Sequence, residues 1–121
     1  MNTDMSILTT IAVSIVILLH VFFMLLEMFL WNTPTGHKTF DLSPAFAKQS
    51  AALAANQGLY NGFLAAGLLW GLVSTGGTDA LIFFLSCIII AGIYGAATAN
   101  RSILFLQALP AAVALALLTL S

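Results

Sequence analysis

Leu53–Leu72, LAANQGLYNGFLAAGLLWGL, is the stretch on which the reading of this chain turns. It is apolar enough to lie in a bilayer, yet Asn56, Gln57, Tyr60 and Asn61 crowd into its first half. A buried amide is costly in hydrocarbon unless it is paired. Four such groups within two helical turns therefore need partners.

The rest of the chain is still more apolar. Its 121 residues are 61% hydrophobic and 6% charged, with a mean hydropathy of +1.09. A soluble domain carries about a quarter charged residues. Lipid is therefore expected to cover this surface. Since roughly 20 residues span a bilayer as a helix, four spans with short loops use up the chain. The fold class expected is all-α: one four-helix transmembrane bundle over residues 1–121, with antiparallel neighbours.

The helices are expected at about 6–31, 44–74, 80–99 and 102–120. The first is not a cleaved signal peptide by its pattern, because MNTDMS has no positive charge and the apolar run is too long. Between the first two helices lies NTPTGHKTFDLSPAFAKQ, read as a loop in which Ser43 and Pro44 start the second helix as cap and first residue. In that helix Gly58, Gly62 and Ala66 form a small-residue stripe suited to close packing, within the protomer or between copies. Homo-oligomerisation is expected on that basis. GGTD and Asn100–Arg101 make tight returns, and Pro110 interrupts the last span.

The only basic residues are Lys38, Lys48 and Arg101, which excludes a nucleic-acid binder working through a basic surface. They fall in the first and third connections. The positive-inside rule then places those connections in the cytoplasm and both termini outside. Cys87 is the one cysteine, so no intrachain disulfide is possible. No metal-ligand spacing is present: His20 and Glu27 are seven apart, and His37 lies in the loop.

Depth follows from the helical rise. Glu27 lies about 6 Å inward from Trp31, Asn56 about 9 Å and Asn61 about 16 Å inward from Ser50. Tyr94 and Gln107 each lie about 9 Å inward from the turn at Asn100–Arg101, and His20 falls near the level of Asn61. Polar groups from all four helices thus gather in the cytoplasmic half of the membrane. The candidate ligand-binding set is Glu27, Asn56, Gln57, Tyr60, Asn61, His20, Tyr94, Arg101 and Gln107. Glu27 is the charge of the set, with Asn56, Tyr60 or His20 as its expected donor. The same groups serve equally as glue between helices.

HVFFMLLEMFLW, LAANQGLYNGFLAAGLLWG, IIIAGIYGAAT and NRSILFLQALPA together resemble the family of small bacterial membrane proteins known as domain of unknown function 1304. The likeness covers nearly the whole chain, and NQGLYNG is its most specific part. It implies a four-helix integral protein of the cell inner membrane and no stated activity or cofactor. A fainter likeness joins the chain to the membrane-associated eicosanoid and glutathione metabolism enzymes, through Asn56, Asn61, Tyr94 and Arg101. Those enzymes use several arginines, and this chain has one.

The leading functional expectation is binding or transport of a small amphipathic or lipid-like molecule in a polar pocket of the cytoplasmic leaflet. The alternatives are a membrane enzyme on a lipophilic substrate, and a small proton-coupled exporter using Glu27.

Overall fold

A computed structural model describes residues 5–102 and 104–120. Most of the MNTDMS stretch quoted above, and Ile103 in the last expected helix, lie outside them. The described residues are all-α and include no strand. The helices are α1 (Ile7–Phe29), α2 (Pro34–Phe40), α3 (Pro44–Val73), α4 (Thr78–Thr98) and α5 (Leu109–Leu120). A π-helical segment, Leu104–Ala108, leads directly into α5.

There are therefore five helices rather than four. The added one, α2, lies in the stretch read as a loop. It is short, and its content is local: Thr33 Oγ1 accepts from Gly36 N, and Pro34 occupies the first turn. Polar side chains and Gly36 leave no apolar periodicity by which to recognise it.

Side-chain caps also set the starts of α1 and α3. Ser6 Oγ accepts from Thr9 N at 3.1 Å, beginning α1. Ser43 Oγ accepts from Phe46 N at 3.2 Å, beginning α3 with Pro44 as its first residue. Gly76 turns the chain between α3 and α4 with a φ of 72°, a conformation that glycine adopts without a Cβ penalty. Ahead of Pro110, which has no N–H to donate, the chain widens into the π-helical segment instead of continuing as α-helix.

Two helices, α1 and α4, are long and apolar enough to cross a membrane. The segment Leu104–Leu120 is apolar but shorter. α3 is the longest helix at 30 residues, yet Asn56, Gln57 and Asn61 dilute its apolar character.

The described residues divide into two compact units. One is His20–Phe63; the other joins the described residues before His20 to those from Leu64 onward. In the second unit the core is aliphatic: Val13 and Val16 of α1, Leu68 and Leu72 of α3, Leu81, Leu85 and Ile88 of α4, and Ala111, Ala114 and Leu118 of α5. The recurrent spacing of three and four is that of helices packed side by side at a shallow angle. Gly67 lies against the Phe84 ring and Gly71 against Leu81, so α3 and α4 run antiparallel.

In the His20–Phe63 unit, Gly58 meets Met28, Glu27 and Met24, and Gly62 meets Met24. The contacts descend on α1 as they rise on α3, so this pair is also antiparallel. Two of the three stripe glycine and alanine positions are thus used within the chain; Ala66 is exposed.

Candidate functional site

The His20–Phe63 unit carries the polar centre. Gly58 and Gly62 have no side chains, and α1 closes against α3 there through two methionines. This close approach places Glu27 of α1 opposite the turn of α3 that holds Asn61. Asn61 Nδ2 donates to Glu27 Oε1 at 2.5 Å. Both residues are 8% exposed. An amide that donates to one carboxylate oxygen leaves the carboxylate's remaining lone pairs free to accept from another donor.

Lys38, Lys48 and Arg101, the three Lys and Arg residues of the chain, are all exposed. His20, two helical turns away on the same face of α1, is fully buried and sets its ring edge-on to Phe23 at 5.5 Å.

The other expected members on α3 do not join this pair. Asn56, Gln57 and Tyr60 are exposed. The Tyr60 ring instead meets Phe63 edge-on at 6.0 Å. The donor to Glu27 is Asn61, where the sequence points to Asn56, Tyr60 or His20. The reason is register: α3 buries Ala47 near its start, Gly71 near its end, and between them the row Ala54, Gly58, Asn61, Ala65, Leu68 and Leu72. That row alternates spacings of four and three. Of the four polar residues in NQGLYN, Asn61 alone falls on it. The row was present in the sequence and would have singled out Asn61.

Tyr94, Arg101 and Gln107 belong to the other unit. Tyr94 is exposed near the end of α4, and its carbonyl accepts from Thr98 Oγ1. Arg101 is exposed in the turn, where its carbonyl accepts from Leu104 N. Gln107 lies half-buried in the π-helical segment.

Sequence reasoning missed a second polar contact in the His20–Phe63 unit. Trp31 Nε1 donates to Ser50 Oγ at 3.0 Å, and Ser50 Oγ donates to the Phe46 carbonyl at 2.7 Å. The Phe40 ring of α2 lies 4.8 Å from the Trp31 ring. Trp31, just past α1, thus ties that end of the helix to α2 and to the start of α3. Among the described residues, no three His, Cys, Asp or Glu side chains gather as a metal-binding set.

Comparison with known proteins agrees with the sequence resemblance. The family described as "Protein of unknown function (DUF1304)" matches residues 14–119. The "Uncharacterized protein YpaA" of Lactococcus lactis subsp. lactis (strain IL1403) is 32% identical over 106 residues, covering 85% of this chain and 89% of that protein. No solved structure matches.

Proposed function

The chain belongs to the DUF1304 family, and from its geometry we propose that it is a multi-pass membrane protein that binds or transports a small amphipathic molecule at the Glu27–Asn61 pair. α1, α3, α4 and the segment running through α5 are the four spans in this reading. Two of them meet the length and apolarity of a span unaided. α3, at about 45 Å by its helical rise, is long enough to cross and to project beyond one surface. In this reading the termini lie outside the cell, and α2 with Lys38 and Lys48 lies on the cytoplasmic side of the inner membrane.

The observation that carries the ligand is the buried carboxylate, held by one amide and given no lysine or arginine by its own chain. An intramembrane carboxylate of this kind marks a site for a cation or a hydrogen-bond donor. The ligand class that fits is an apolar tail carrying an amine or another donor at its head. The tail shares the lipid-like surroundings and the head meets Glu27.

Dodecylamine and dodecanoic acid serve as matched probes, with the same tail length and opposite head-group charge. Native mass spectrometry of the protein in mild detergent is expected to show dodecylamine retained by the wild type and dodecanoic acid not. Glu27→Gln is expected to lose dodecylamine by about tenfold in affinity, close to 1.4 kcal/mol. Equal retention of both probes, or retention unchanged in Glu27→Gln, would overturn the assignment.

A further inference from the structure

The outward faces of α1 and α3 differ in chemistry. Along α1 the exposed row is Ile11, Ile15, Leu18, Phe22, Leu25 and Phe29, which lipid tails cover without loss. Along α3 the exposed row is Leu53, Asn56, Gln57, Tyr60 and Phe63. The spacings of three and four put these five on one continuous face.

Two amides stand in the middle of that face. Asn56 is 17 residues from the end of α3 at Val73, about 25 Å by the helical rise, and so falls inside a hydrocarbon layer about 30 Å thick. Gln57 lies one residue deeper. Lipid tails offer these amides neither a donor nor an acceptor. Glu27 takes its side-chain bond from Asn61, in the buried row of α3, and not from Asn56 or Gln57.

We propose that this face of α3 docks against the same face of a second copy of the chain. The occupant follows from the chemistry. A primary amide is both donor and acceptor, so it is its own complement. A two-fold axis brings like residues to like residues, which lets Asn56 and Gln57 of one copy bond the amides of the other. Leu53, Tyr60 and Phe63 flank the amides and pack around them. This inference rests on the proposed membrane-spanning reading of α3. It leaves the Glu27–Asn61 bond in place, since Asn61 belongs to the buried row of α3, beside the exposed face that carries Asn56 and Gln57.

The test uses the full chain in the Cys87→Ala background, reconstituted in lipid nanodiscs and in native membranes. Gln57→Cys is expected to form a disulfide-linked dimer under mild oxidation; Leu18→Cys, on the outward face of α1, is expected to stay monomeric. Separately, the Asn56→Leu and Gln57→Leu double variant is expected to shift the dimer to monomer by tenfold or more in dissociation constant, while it still inserts. Absence of the Gln57→Cys cross-link, an equal yield from Leu18→Cys, or a dimer unchanged in the double leucine variant would each overturn the proposal. Lipids bound to a monomeric wild type at this face would do the same, and would assign the amides to head groups. Extraction of the wild type from membranes by alkaline carbonate would instead refute the membrane reading itself, which separates the two failures.

Discussion

Trp31 Nε1 donates to Ser50 Oγ across 19 positions of sequence, and that bond spans two different helical levels. The close contacts of α1 and α3 pair Met28 with Gly58 and Met24 with Gly62. On that register Trp31 stands well inward of Ser50, and the indole reaches back along α3 to meet it. Loss of either partner is expected to cost about 1 kcal/mol, the usual net worth of one hydrogen bond. Trp31→Phe and Ser50→Ala should each lower stability by that amount in SDS titration from mixed micelles. The double variant should lose less than the sum.

The same register explains what was legible in the sequence and what was not. The apolar runs and the Ser43–Pro44 start gave the long helices to within a few residues, because both signals are local. Depth counted by helical rise from Trp31 and from Ser50 holds only where the two stand level. They touch, but only through a long side chain, so that count matches Glu27 to Asn56 or Tyr60 and not to Asn61. α2 is illegible for another reason: seven residues with Gly36 and four polar side chains show no face. What Tyr94, Arg101 and Gln107 do is not a matter of helical spacing at all, since it depends on tertiary placement of a different unit.

Asn61 and Asn56 should behave as opposites. Asn61→Leu removes the amide that meets a buried carboxylate, and is expected to cost about 1–3 kcal/mol, the penalty for an orphaned buried polar group. Asn56→Leu changes an exposed position and is expected to leave the stability of the single chain within about 0.5 kcal/mol. Unfolding of monomer in mixed micelles, followed by circular dichroism, distinguishes them. Equal losses would contradict the placement of Asn61.

Glycine replacements should separate by what stands opposite. A Cβ at Gly92 would fall 2.7 Å from the Ala108 backbone nitrogen, and backbone cannot step aside. Gly92→Ala is therefore expected to cost about 1–3 kcal/mol, as overpacking does. A Cβ at Gly62 would meet only the Met24 sulfur, at 2.6 Å, the end of a flexible side chain. Gly62→Ala should be tolerated within about 1 kcal/mol. Thermal unfolding in one detergent orders the two.

Membrane topology makes a prediction that needs no ligand. In a Cys87→Ala background, Asp79→Cys in the first turn of α4 should react with an impermeant thiol reagent added to intact cells. Lys38→Cys in α2 should react only after the cells are opened. The reverse pattern would invert the orientation.

The central claim is that Glu27 and Asn61 form one binding site. The measurement that tests it most directly is a double-mutant cycle on dodecylamine affinity, by titration calorimetry in mild detergent, with Glu27→Gln, Asn61→Ala and both together. The account predicts that each single variant weakens binding by about tenfold or more, near 1.4 kcal/mol, while folding and dodecylamine-free assembly persist. It also predicts that the double variant is weaker by clearly less than the product of the two losses, because both residues serve the same head group. Dodecylamine affinity equal to wild type in Glu27→Gln would contradict the account and leave the pair as a bond between two helices.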